Sequence, residues 1–278
     1  MNYKVWLITG ATGELGSQTA ELITKNSPND KLILTGRNEK KMEEIMQKLD
    51  DLIQTKKDEK KEIHHLSFIT DLTKEGNCSK LIEFTISSFK KLDVLISCGG
   101  ISEKEENFVQ FLKLSEWDEV FQVNFRSVVD LVQQSIPYLK ETQGNIVVVS
   151  SISGKIPESG AGAYCCSKAA LNMLVKVLAL ELGTNMIRVN AVSPSTFDSS
   201  MHSPFFDTQS QYNKFLQNVQ QNTQVINSNI SALDIANSIY FLASPQAKSI
   251  TGMNLVVDCG VSLKNSIEFL NLEDENSN

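Results

Sequence analysis

The chain has 278 residues, 41% of them hydrophobic, and a formal net charge of −7. That length suits one α/β domain or two small ones and is ample for a sizeable core. The acidic balance leaves no cationic excess to neutralise phosphates, which argues against a nucleic-acid partner.

Short apolar runs alternate with longer helical stretches. In chain order the runs are "KVWLIT", "KLILTG", "HLSFIT", "LDVLIS", "NIVVVSS", "MIRVNAVS" and "MNLVVD". Their near-continuous apolarity fits a parallel sheet covered on both faces. Helices are expected at about 14–26, 38–56, 74–91, 115–140, 160–183 and 231–243. The alternation predicts right-handed crossovers and an α/β, doubly wound parallel sheet of about seven strands. One Rossmann-like domain is expected over residues 1–267. The tail 268–278, ending "EDENSN", reads as a solvated acidic end. The lysines of "QTKKDEKKEIHH" are interrupted by acids and read as a solvated helix end and loop.

The five cysteines are Cys78, Cys98, Cys165, Cys166 and Cys259. Their odd number and spacing fit no disulfide or zinc pattern, so no metal is expected and a reducing compartment is favoured. A strand begins almost at once, which leaves no room for a signal peptide. No apolar run is expected to reach membrane-spanning length, so the expected location is cytoplasmic, with no membrane partner. His64 and His65 lead a strand and read as structural or exposed.

The first strand runs into "TGATGELG", whose glycines fall at 10, 13 and 16, and then into a helix. That context fits a dinucleotide cradle. Gly10 permits the tight turn, Gly13 lets the main chain approach a pyrophosphate, and Gly16 lets helix and strand pack closely. The helix N-terminus offers free N–H groups to the anion. Thr12, Glu14 and Leu15 complete the candidate loop. Glu14 favours the helix dipole but repels a phosphate if it points inward, so it is expected to face solvent or cap a backbone N–H. The second strand ends in Gly36 and Arg37 with no acid at its end. A guanidinium there suits a 2′-phosphate, which predicts NADP(H) rather than NAD(H). After the third strand, Asp71 either accepts from an adenine amino group or caps the next helix with Thr73. Leu72 lies beside it.

The most informative stretch is "NIVVVSSISGKIPESGAGAYCCSKAALNML". Tyr164 and Lys168 are four apart on a helix and share a face. A free tyrosine is a poor acid–base group at neutral pH, and a nearby ammonium stabilises its phenolate. Ser151, at a strand end, can hold a substrate oxygen. No nucleophile-elbow pattern surrounds Ser151, so a hydrolase is not expected.

From about Lys4 to Leu263 the sequence resembles the short-chain dehydrogenase/reductase family in its classical form. "YCCSK" matches the family's Tyr-x-x-x-Lys, with Ser151 at the expected distance, and "FQVNFRSV" carries its helix Asn as Asn124. "IRVNAVSPS" and "ALDIANSIYFLASPQAKSITGMNLVVDCG" resemble the family's later strands and helix. The resemblance implies Tyr164 as general acid–base, with Lys168 lowering its pKa and binding the nicotinamide ribose. It implies Ser151 orienting the carbonyl and Asn124 completing a water-linked proton relay. The reaction implied is hydride transfer between NADP(H) and a small-molecule carbonyl or alcohol. It also implies a homo-oligomer, tetramer or dimer, formed through helices 115–140 and 160–183.

Four features depart from the family. The three-and-three glycine spacing is that of the extended branch, with Glu14 in place of a classical glycine. The Asn-Asn-Ala-Gly motif reads "SCGG", placing Cys98, Gly99 and Gly100 along the adenosine wall. The Pro-Gly becomes Pro194-Ser195, with Thr196 and Ser199 still offering hydroxyls near the carboxamide. Cys259 stands where the family has a glycine, and both Cys98 and Cys259 read as small buried residues. These changes motivate an alternative reading: a weakly active or inactive NADP-binding protein used for sensing or assembly.

Residues 194–230 are polar and rich in Asn and Gln, with Phe197, Phe205, Phe206, Tyr212 and Phe215 among them. A segment of that length leaving a strand's C-terminal end is expected to be a substrate loop or lid. His202, within it, is a possible substrate contact.

Overall fold

The valine, isoleucine and leucine runs pair into one parallel sheet in the order β3-β2-β1-β4-β5-β6-β7. The strands are β1 (Val5–Thr9), β2 (Lys31–Gly36), β3 (His65–Ile69), β4 (Val94–Ser97), β5 (Asn145–Val149), β6 (Arg188–Pro194) and β7 (Asn254–Val257). The computed structural model describes residues 3–54, 64–104, 108–201, 203–223, 225–226 and 228–263. The acidic tail, His202 and the lysine-rich run at 55–63 lie outside the described residues.

Successive strand residues point to opposite faces, and here both faces are buried. Val5 and Leu7 join a core with helices α3 (Asn77–Phe89), α5 (Ser127–Thr142) and α6 (Gly162–Leu182). Trp6 and Ile8 join the opposite core with α1 (Glu14–Asn26), α2 (Glu39–Gln54) and α8 (Ala232–Ala243). Ile8 pairs with Leu34 on one side and with Ile96 on the other. Strand order therefore reverses between β1 and β4, which opens a crevice beyond their C-terminal ends.

Two expectations about helices need correction. The segment expected as one helix over 115–140 is α4 (Leu114–Phe121) and α5 joined by a π-turn, Gln122–Arg126. The wide turn inserts one residue into the helical ladder without altering the apolar spacing enough to show in sequence. The other concerns membrane length. Gly162–Asn185 is apolar enough and long enough to span a bilayer, with a mean hydropathy of 1.4. In the fold it is the core helix α6, burying Leu171, Val175 and Leu178. In the 194–230 segment lies α7 (Gln209–Asn218), whose N-terminus is closed by a capping box between Thr208 and Gln211.

His65 begins β3 with its ring buried, its Nε2 3.1 Å from Thr24 Oγ1. Burial lowers its pKa from 6.5 to about 4, although Asp50 pulls the other way; His64 and Lys31 add smaller lowering effects. The unfolded chain then binds more protons than the folded one between these values. Stability is complete above about pH 6.5 and falls, by up to about 3 kcal/mol, as pH drops towards 4. Denaturant unfolding across that range should show this slope in the wild type, and His65→Leu should flatten it.

Candidate active site

The crevice between β1 and β4 is a cavity of about 710 Å³. Among the described residues, every catalytic and cofactor-binding residue expected from sequence lines it except Asn124, which is buried behind Gly100. Its floor is the glycine turn. Gly10 has φ +63, and a Cβ there would fall 2.7 Å from Gly99 N. A Cβ on Gly16 would fall 2.3 Å from Gly10 O, so α1 packs as close to the turn as a backbone can. Gly13 is the N-cap of α1 and supplies no side chain to close it. The first-turn N–H groups of α1 are thus left to an anion. This bare cradle fits the pyrophosphate of a dinucleotide.

Glu14 does not simply face solvent. Its carboxylate accepts from Ser200 Oγ at 3.1 Å, tying the glycine loop to the segment after β6. Asp71 accepts from both the backbone N–H of Thr73, at 3.0 Å, and its hydroxyl, at 2.7 Å. That is a local turn ahead of α3 rather than a cap on its first residue. These bonds are the main cause of a lowered Asp71 pKa, with Arg37 adding a smaller electrostatic pull. Arg37 itself is exposed at the cavity rim.

At the other end stand Ser151, Tyr164 and Lys168. Ser151 ends the chain leaving β5, and α6 carries the other two on one face. Lys168 Nζ lies 5.6 Å from the Tyr164 ring centre and donates to Val149 O at 3.1 Å. Burial lowers the ammonium's pKa from 10.5 to about 8. Burial pushes the Tyr164 phenol up, and the nearby Ser151 hydroxyl opposes it. Gly100 makes room for this: a Cβ there would lie 3.2 Å from Lys168 Nζ and 3.4 Å from Asn124 Oδ1. The π-turn directs Asn124 fully inward. Its Oδ1 accepts from Ile101 N at 2.8 Å, and its Nδ2 donates to Ile101 O at 2.8 Å and Ser167 Oγ at 3.0 Å. Asn124 thereby pins the loop after β4 to α6.

Three residues at the site escaped sequence reasoning. Glu103 is buried, and its Oε1 accepts the backbone N–H of Tyr164 at 2.9 Å, at the start of α6. Ser153 and Glu158 line the cavity beside Ser151. Their local sequence, "SSISGKIPESG", carries no pattern that marks them. Phe197, Phe205, Phe206 and Phe215 also line the cavity, and Tyr212 anchors the segment by accepting from Ser199 N at 3.0 Å and donating to Asp198. Cys98 and Cys259 are half-buried rather than buried. Cys98 lines the cavity with its thiol pushed up to about 12 by burial. Cys259 has φ +49, a left-handed conformation that a glycine adopts without strain. Among the described residues no cluster suits a metal ion.

A family model described as enoyl-(acyl carrier protein) reductase matches residues 10–262. The chain belongs to the short-chain dehydrogenase/reductase family. A 3-oxoacyl-(acyl-carrier-protein) reductase of Rickettsia felis is 30% identical over 93% of this chain and 96% of its own length. (+)-Borneol dehydrogenase 2 of Salvia officinalis is 32% identical over 70% of this chain and 71% of its own. A short-chain dehydrogenase/reductase of Caenorhabditis elegans, solved with cofactor, superposes with a TM-score of 0.85 at 26% identity, covering 94% and 95% of the two chains. A Brucella melitensis 3-ketoacyl reductase solved with NADH gives a TM-score of 0.78 at 26% identity, over 93% and 98%. Membership of the short-chain dehydrogenase/reductases makes this chain a hydride-transfer oxidoreductase of CH–OH and C=O groups that uses a nicotinamide cofactor.

Glu103→Ala leaves the Tyr164 N–H without its acceptor in a buried place. Denaturant unfolding should show a loss of about 1–3 kcal/mol, while Glu103→Gln, which keeps an acceptor oxygen, should retain most of the stability.

Proposed function

We propose that the protein is an NADP(H)-dependent carbonyl reductase or alcohol dehydrogenase with Tyr164 as general acid–base. The observation that carries this reading is the meeting of Ser151, Tyr164 and the buried Lys168 at the far end of the cavity that begins at the α1 N-terminus. The α1 N–H groups and the Gly10–Gly13 turn hold the pyrophosphate. Arg37 pairs with the 2′-phosphate, and Thr196 and Ser199 meet the carboxamide. When bound, the nicotinamide supplies or accepts the hydride. In reduction Tyr164 gives its proton to the carbonyl oxygen, and Lys168 stabilises the phenolate left behind. Ser151 keeps the substrate oxygen beside Tyr164. Asn124 fixes the loop and helix that Lys168 spans.

The four lid phenylalanines support a partly apolar substrate. The intact Ser151, Tyr164 and Lys168 favour catalysis over a sensing role. The chain forms one domain over residues 1–267. Its five free thiols support a reducing, cytoplasmic location. Met173, Val177 and Leu180 form an exposed apolar stripe on α6, which supports a homo-oligomer through that helix.

Oxidation of NADPH should be assayed with camphor, ketosteroids, 3-oxoacyl thioesters, diketones and quinones. Tyr164→Phe should lower turnover by about 10²–10⁴-fold. NADPH binding without turnover above the Tyr164→Phe background on any of these would favour the sensing role. Arg37→Ala should weaken NADPH binding by about tenfold and NADH binding by less than about twofold; equal losses in a titration would remove Arg37 from cofactor choice. Leu180→Asp should reduce the molar mass seen by light scattering. An unchanged mass would place the contact elsewhere.

A further inference from the structure

Glu14 and Ser200 meet across the crevice. Glu14 opens α1 just after the turn that follows β1, and Ser200 follows the end of β6 at Pro194. In the sheet, β4 and β5 stand between those two strands. Neighbouring strands lie about 4.8 Å apart, so the ends of β1 and β6 are roughly 14 Å from each other. The hydrogen bond from Ser200 Oγ to Glu14 Oε2, at 3.1 Å, therefore passes over the ends of β4 and β5 and bridges the mouth of the crevice. Both residues line the cavity. Ser200 is exposed and Glu14 half-buried, which puts the bond on the cavity's outer side.

That bridge is the outer end of a braced run of chain. At the root of the run, Ser195 N donates to Val257 O at 3.1 Å and continues the pairing of β6 with β7. Further along, the Tyr212 hydroxyl accepts from Ser199 N at 3.0 Å and donates to Asp198 Oδ1 at 3.0 Å, which ties residues 198–199 to α7. The Phe206 ring packs on Tyr212 and on Phe215, with ring centres 5.6 and 5.0 Å away. Phe206 and Phe215 both line the cavity. Ser200 thus fastens a run that reaches the aromatic wall of the cavity to the first turn of α1. A glycine at position 14, the family's residue, has no side chain with which to hold it.

We propose that the Glu14–Ser200 hydrogen bond is a clasp over the dinucleotide, and that its opening limits the rate at which cofactor leaves. This rests on the cofactor lying in the crevice from the α1 N-terminus to Lys168, as in the proposed function. Bound there, the dinucleotide lies beneath a bridge that joins the β1 side of the crevice to the β6 side. A single bond with one exposed partner opens readily, so the clasp slows release without preventing it. The same bond holds the Glu14 carboxylate at the bridge, although at close range its charge opposes that of the phosphates. Glu14 and Ser200 act by holding the chain in place and are positioning residues.

The test is the release rate of reduced cofactor, read in a stopped-flow instrument as the loss of bound-nicotinamide fluorescence after a chase with excess oxidised cofactor. It is run with NADPH and with NADH, so it does not depend on which of them is preferred. Ser200→Ala is compared with Ser200 in three backgrounds: Glu14, Glu14→Gln, which keeps an acceptor oxygen without the charge, and Glu14→Gly, which restores the family's residue. Ser200→Ala should speed release by about three- to tenfold with Glu14 and at least about twofold with Gln, and by less than about 1.5-fold with Gly. An effect with Glu14 alone would assign the faster release to repulsion by a freed carboxylate and overturn the clasp. Equal effects in all three backgrounds, or none in the first, would overturn it as well. If neither NADPH nor NADH binds the wild type, the cofactor reading fails and the clasp with it. If they bind and Ser200→Ala leaves their release unchanged, only the clasp fails.

Discussion

Gly10 lies against the backbone of Gly99, and the width of the crevice follows from that approach. A methyl group on Gly10 would sit inside the Gly99 main chain. The two glycines lie just beyond the ends of the neighbouring strands β1 and β4, where strand order reverses. Their closeness lets α1 begin directly under the cavity and lets the loop after β4 turn back over Lys168. Replacement of the family's amide-bearing residues by "SCGG" leaves this approach intact, because backbone atoms make it. Glu14 in place of a glycine is accommodated too. Its carboxylate leans towards Ser200 and joins the glycine turn to the segment after β6.

The second constraint is the burial of charge-bearing groups around α6. Lys168, Tyr164 and Glu103 are brought together where water is scarce, and each has an anchor. Lys168 reaches Val149 O, and Glu103 takes the backbone N–H of Tyr164. Burial alone disfavours both the ammonium and the phenolate. A site built this way gains from any opposing charge that enters it, which suits the proposed chemistry with cofactor in place.

Much of this was legible in sequence because its signals are local. The strands show as continuous apolar runs, since both faces of the sheet are covered. Tyr164 and Lys168 show by helical spacing, and the glycine loop by its strand–turn–helix setting. Other features depend on contacts between distant segments. The π-turn at Asn124 adds one residue to a helix without breaking its apolar pattern. Glu103 and Glu158 sit in loops, and only the folded chain places one on the Tyr164 N–H and the other behind Ser153. Asp71 had two readings in sequence, and the Thr73 hydrogen bonds supply a structural role for it.

Isotope transfer tests the central claim most directly. NADPH carrying deuterium at the transferable position of its nicotinamide should be incubated with the protein and the ketone panel. Mass spectrometry of the product alcohol should find one deuterium on the carbinol carbon with the wild type and none formed with Tyr164→Phe. Product without deuterium, or equal product from Tyr164→Phe, would contradict hydride transfer governed by Tyr164.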